Sequence, residues 1–107
     1  MRAYASLRRR ADFARVARIG RRRAAKYLTC VVADGRGRTQ IGMTVSAKVG
    51  GAVVRNRIRR RLRAILDRYA FAERPTRDIV FIARPGAGDL SFAELVVEVE
   101  RTFGTPP

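Results

Sequence analysis

Residues 53–70, VVRNRIRRRLRAILDRYA, carry two patterns at once. Val54, Ile58, Leu62, Ile65, Leu66 and Tyr69 recur at i, i+4, i+8, i+11, i+12 and i+15, a single apolar stripe of helical period. At roughly 100° per residue, Asn56, Arg59, Arg60, Arg63 and Asp67 then fall on the opposite side, with Arg55, Arg57, Arg61 and Arg68 along the flanks. The spacing predicts a helix over 53–70 that lays its stripe on a sheet and turns a cationic side outward. A merely solvated face mixes signs. Here seven arginines stand against Asp67, and each close like-charged pair weakens an isolated helix by a few tenths of a kcal/mol. Relief of that repulsion by a polyanion is the physical reason to read the face as nucleic-acid binding. Asn56 can bond a phosphate, a 2′-hydroxyl or a base edge, and is equally at home as an ordinary helix-surface amide.

Working outward, the loop Ala47-Lys48-Val49-Gly50-Gly51-Ala52 only superficially resembles a phosphate cradle. Two valines stand where a Walker loop needs its terminal Lys-Ser/Thr, so no nucleotide site is assigned there. Upstream, Thr39 to Ser46 alternates Ile41, Met43 and Val45 with Gly42, Thr44 and Ser46, the pattern of a half-buried strand. Lys26 to Ala33 is β-branched and aromatic, and Asp34-Gly35-Arg36-Gly37 supplies turn residues, so the two strands are expected to form a β-hairpin. Cys30 reads as a small core residue. Arg10 to Ile19 is a short helix through Phe13, Val16 and Ala17, with Gly20 expected to end it in a left-handed conformation.

Downstream, the helix gives way near Arg74-Pro75, and Asp78 to Arg84 is a continuous apolar strand expected at the sheet centre. Ser91 and Glu94 form a capping box that opens a last helix with Phe92, Leu95, Val96, Val99 and Phe103 inward and Glu94, Glu98 and Glu100 exposed. Its acidic side should lie away from nucleic acid. The order αββαβα, with room for one extra short strand near Arg23, is an α+β fold: a two-layer sandwich of helices on a small mixed sheet. At 107 residues it is one domain, 1–107, with 1–9 expected as a flexible basic N-terminus.

Charge is unevenly distributed. Of 24 Lys+Arg and 9 Asp+Glu, residues 1–66 hold 19 basic and 2 acidic, a net +17, while the remainder is −2. Only Lys26 and Lys48 are lysine; guanidinium suits bidentate phosphate contacts, although a G+C-rich genome would favour arginine too. The chain has no histidine and one cysteine, which excludes His-based triads, His/Cys zinc sites and an internal disulfide framework. A two-metal nuclease needs clustered carboxylates, and the basic part has only Asp12 and Asp34. Asp67, Glu73 and Asp78 flank one turn but read as helix-end, loop and strand-start residues. No catalytic or metal-binding residue is therefore assigned. The absence of an 18-residue apolar run or a signal-peptide core fits a cytoplasmic protein without a membrane partner.

The string Ile41-Gly42-x-x-Val45-Ser46-x-Lys48-Val49-Gly50-x-Ala52-Val53-x-Arg55-Asn56-Arg57-Ile58-x-Arg60-x-x-Arg63 resembles the signature of the bacterial ribonuclease P protein component. The resemblance extends from Asp12-Phe13 and Gly20 to Asp78-Ile79 and Ile82-Ala83-Arg84. It implies a cofactor for a catalytic RNA that removes the 5′ leader from precursor tRNA, with the chemistry on the RNA. It further implies a ribosomal-protein-S5-domain-2-like fold containing a left-handed βαβ crossover, against the usual right-handed preference. Carried over by motif, the resemblance implies that Arg55, Asn56, Arg57, Arg60 and Arg63 touch the catalytic RNA or lie near its metal-rich active region, joined in RNA binding by Lys48 and by Arg59 of the same face. The leader lies in a cleft between the first helix and the sheet, at Phe13 and Val31. Ala17 and Val31 stand where relatives often carry aromatics, which leaves Tyr27 as either a stacking substitute or a strand-edge packing residue. The protein holds no cofactor; magnesium is expected at the RNA active site, and one monomeric protein per RNA. Two other classes remain open: a noncatalytic RNA-binding or ribosomal-type protein, and a self-sufficient ribonuclease.

Overall fold

The computed structural model describes residues 3–106. Its elements are β1 (Ala5–Ser6), α1 (Arg10–Ile19), β2 (Arg21–Ala24), β3 (Leu28–Asp34), β4 (Gln40–Thr44), α2 (Ala52–Leu66), β5 (Arg77–Ala83) and α3 (Phe92–Phe103). Single 3-10 turns stand at Phe71–Glu73 and Ala87–Asp89. The five strands form one mixed sheet in the order β1-β4-β5-β3-β2. Strand β5 is central, as its continuous apolar run requires: Ile79 and Phe81 face one way, Val80 and Ile82 the other, and all need cover.

The expected hairpin between the 26–33 and 39–46 strands does not form. β5 lies between them, antiparallel to β3 from Leu28↔Ala83 to Asp34↔Arg77 and parallel to β4 from Gln40↔Asp78 to Thr44↔Ile82. Burying a seven-residue strand on both faces and along both edges outweighs a local turn signal. The 35–39 segment instead passes across the start of β5 and is stitched to it. Gly35 N–H donates to the Thr76 carbonyl (3.1 Å), Thr76 Oγ1 to the Gly37 carbonyl (2.9 Å), and Arg77 N–H to Thr39 Oγ1 (3.2 Å). A Cβ at Gly35 would lie 2.8 Å from the Arg77 backbone, so glycine is needed there for clearance. The true hairpin joins β2 to β3 around Ala25–Tyr27, closed by Ala25 N–H on the Leu28 carbonyl (2.8 Å). β2 is the extra strand expected near Arg23.

Two layers become three. Helices α2 and α3 cover one sheet face, where Ile58, Leu62, Ile65, Leu66, Leu95 and Val99 pack on Leu28, Cys30, Ile41, Ile79 and Phe81. Each such fully buried aliphatic side chain stabilises the fold by roughly 1.5–3 kcal/mol. Helix α1 lies alone on the opposite face, packing Val16 against Val31, Ala33 and Val80. The N-terminal stretch contributes as well. Tyr4 and Leu7 are only 7% and 5% exposed, and β1 pairs parallel with β4. Tyr4 to Leu7 therefore depart from the expectation of a flexible 1–9 segment; Met1 and Arg2 lie outside the described residues. Tyr4 and Leu7 are anchors that an arginine-dominated composition hides.

Three smaller expectations change. The long helix stops at Leu66 rather than Ala70, and Asp67–Tyr69 leave it as a turn. Gly20 is extended (φ −75°), not left-handed. Its role is space, because a Cβ would meet the Val16 carbonyl at 2.5 Å and Val31 Cγ1 at 2.6 Å. Glu98 is buried at 5% and accepts a 2.6 Å bond from Tyr27 N–H, so α3 exposes fewer carboxylates than its sequence suggests. The capping box is as read: Glu94 N–H donates to Ser91 Oγ and Ser91 N–H to Glu94 Oε1.

Candidate nucleic-acid interface

Helix α2 presents the two sides its periodicity demands. Ile58, Leu62, Ile65 and Leu66 are buried, whereas Asn56, Arg60 and Arg63 are exposed and Arg59 is half-exposed. Lys48 is exposed in the preceding loop. Arg59 donates to Asn56 Oδ1 at 3.3 Å, which engages the carbonyl of the amide and leaves its NH2 as a donor. The flanks are not uniformly free for a partner. Arg57 donates to the Gly88 carbonyl and Arg61 to the Leu90 carbonyl, both at 2.9 Å, pinning the turn that leads into α3. Arg55 and Arg57 each hold a buried Nε–H without an acceptor among the described residues.

The α2 side meets α1 in a shallow recess of about 550 Å³. Arg59 stands on one wall, Arg8 and Arg10 on the other, with Phe13, the end of β4 at Met43 and Thr44, and the following Val45 and Ser46 between them. Phe13 reaches this position because Gly42 lies beneath its ring; a Cβ at Gly42 would come within 2.5 Å of Phe13 Cζ. Arg8 and Arg10 join through folding alone, since nothing in their spacing relates them to Arg59. Val31, the second residue assigned to the leader, does not line the recess. It is 1% exposed beneath α1, against Val16 and Val80, and is corrected to a core residue. A β-branched side chain in a two-faced strand is cover for the core, whatever an aromatic does there in relatives. Tyr27 packs too: its ring lies against Gly86, left-handed at φ 99°, where a Cβ would be 2.6 Å away.

Among the described residues, no three His, Cys, Asp or Glu side chains come together to hold a metal ion. Asp78 is buried and paired with Arg15 across the sheet face, and Glu98 is taken by the Tyr27 amide. Burial pushes the Cys30 thiol up to about 12, far from the thiolate a nucleophile needs. No helix among the described residues is long and apolar enough to cross a membrane.

Fold and surface together define a small α+β domain in which an arginine-rich helix adjoins an aromatic recess. The family model described as Ribonuclease P matches residues 1–106. The ribonuclease P protein component of Acidothermus cellulolyticus is 45% identical over 101 residues, covering 92% of this chain and 84% of that one. That of Gluconacetobacter diazotrophicus is 42% identical over 101 residues, covering 91% and 86%. The Staphylococcus aureus RNase P protein structure superposes with a TM-score of 0.81 at 27% identity, covering 89% of this chain and 88% of that one. The chain belongs to the ribonuclease P protein family.

Proposed function

We propose that this chain is the protein subunit of a ribonuclease P ribonucleoprotein, an endoribonuclease that releases the 5′ leader of precursor tRNA, and that it performs no cleavage alone. Membership of the family supports the role. One structural observation carries the division of labour: Arg59 of α2 faces Arg8, Arg10 and Phe13 across a single recess. A surface that grips structured RNA on α2 thereby continues into a slot suited to a single strand, with an aromatic ring for stacking and guanidiniums for phosphates. Lys48, Asn56, Arg60 and Arg63 hold the catalytic RNA, assisted by Arg55 and by Arg57 beside its structural bond. Phe13 takes the leader. Magnesium bound by RNA phosphates supplies the Lewis acid, and this chain's arginines lower the repulsion between the RNA strands around it. The protein acts in the cytoplasm as a monomer, one per RNA.

The test is reconstitution with the cognate RNA at physiological salt and low magnesium. Precursor tRNA is cut by protein plus RNA, poorly by RNA alone and not by protein alone. Cutting by the protein alone would establish an intrinsic nuclease, and failure to stimulate the RNA would favour a noncatalytic or ribosomal-type RNA binder. Within the stimulated complex, Phe13→Ala weakens precursor tRNA more than mature tRNA; equal losses remove the leader contact.

A further inference from the structure

The sheet face opposite the α1 recess carries a second basic pocket, of about 380 Å³. Val32 forms its floor over the buried Cys30 and Ile79, Phe103 its apolar wall in front of the buried Phe71, and Arg21, Arg23, Arg74 and Arg77 its rim. The register explains the rim. Arg21 pairs with Val32 and Arg23 with Cys30, so both project on the α3 side while Arg22 projects toward α1. Arg74 is ordered over the Tyr69 and Phe103 rings, at 5.3 and 5.6 Å from their centroids, and donates to the Thr105 carbonyl. Arg77 is 3.6 Å from Asp34. The side chains of Arg21 and Arg23 make no hydrogen bond or ion pair among the described residues.

Two arginines on an exposed edge strand guard against sheet-to-sheet pairing, but a guard has no need of a concave apolar floor beneath it. The volume falls at the lower end of the range for small-ligand sites. An apolar floor bordered by an aromatic ring suits one flat base, and the surrounding guanidiniums suit its phosphates. Side chains at i and i+2 of a strand stand about 6.8 Å apart, close to the spacing of consecutive phosphates along a single strand. We infer that this pocket is a second single-stranded RNA site, holding one unpaired nucleotide with its base against Phe103 and Val32 and its flanking phosphates on Arg21 and Arg23. It rests on the ribonucleoprotein reading only for the choice of RNA as occupant. Because it lies across the sheet from Phe13, its strand is a different segment from the one in the α1 recess.

The test uses the full ¹⁵N-labelled chain titrated with hexauridylate and, separately, with inorganic phosphate. Hexauridylate shifts the amides of Val32, Thr102 and Phe103 in addition to those around Phe13. In Arg21→Thr/Arg23→Thr, which keeps strand-forming residues on the edge, the Val32 and Phe103 shifts are lost while those around Phe13 and Arg60 persist. Unmoved Val32 and Phe103 amides, or shifts that survive in the double variant, would overturn the site. Phosphate reproducing the whole hexauridylate pattern would overturn it too, in favour of a bare anion pocket. Because the readout is the pocket itself, an absence of RNA stimulation in the cleavage assay would defeat the subunit reading and leave this site standing.

Discussion

Helices α2 and α3 lie side by side on one sheet face and solve the same packing problem with opposite outer surfaces. α2 carries six arginines and no acid between Ala52 and Leu66; α3 carries three glutamates and one arginine between Phe92 and Phe103. Both bury an aliphatic stripe, so the core does not explain the contrast. The fold would be served as well by two mixed surfaces, and α2 in isolation would be the more stable for it. Its charge is therefore the feature on which the proposed RNA contact rests, whereas α3 uses two of its acids within the chain. Glu98 accepts the Tyr27 amide, and the Glu94 side chain caps its own helix. The same comparison divides α2 itself. The side chains of Arg57 and Arg61 bond the carbonyls that lead into α3, and those of Arg60 and Arg63 bond nothing among the described residues.

That division is open to attack from the inside of α2 outward. Leu62→Ala, at a fully buried position, should cost about 2–5 kcal/mol in urea denaturation. Its RNA affinity should be unchanged under conditions where the variant is folded. Arg60→Ala/Arg63→Ala should do the reverse: circular dichroism and melting stay as in the parent, while affinity for the catalytic RNA falls about tenfold or more. The slope of log K against log salt should drop by between about 1.4 and 1.8. Unfolding of this variant would show that the outward side of α2 has been assigned to the wrong residues. Arg61→Ala lies between the two, losing about 1–2 kcal/mol of stability through its bond to the Leu90 carbonyl, with a smaller change in RNA affinity than the Arg60/Arg63 pair. A loss confined to RNA binding would move Arg61 to the outer group.

The smallest effect belongs to α3. Bonds from the Ser91 backbone and side chain hold the Glu94 carboxyl below its ordinary value. A lowered folded value means that its stabilisation is complete above the ordinary glutamate range and is lost as pH falls through the lowered value. The stability difference between the parent and Glu94→Gln, followed by urea denaturation from neutral to acid pH, should therefore shrink and close at the acid end. A difference independent of pH would show that the carboxylate charge plays no part in the cap.

Periodicity carried far in this chain because the elements that carry it are long and amphipathic. The α1 bounds, the inward stripe of α2, the central place of β5 and the Ser91–Glu94 cap were all legible, each resting on spacing within one element. The motif around Arg55-Asn56-Arg57 placed the basic side on α2, yet it could not separate Arg57, bonded to Gly88, from Arg60. What failed required knowing who sits beside whom. β3 and β4 look like a hairpin until β5 is inserted between them, and Val31 looks available until α1 is laid over it. Tyr4 and Leu7 look like part of a loose basic tail until β1 finds the free edge of β4.

The amino-acid sequence by itself determined most of the helices and strands, the sign and location of the charge, and the absence of histidine chemistry, because these follow from side-chain chemistry and from repeats within a helix or strand. Only the tertiary structure decided the strand order, the burial of Val31 and Glu98, and the meeting of Arg8, Arg10, Phe13 and Arg59 in one recess. Those contacts join residues far apart in the chain, and their free energy comes from desolvation and close packing of the assembled sheet, which no local pattern encodes.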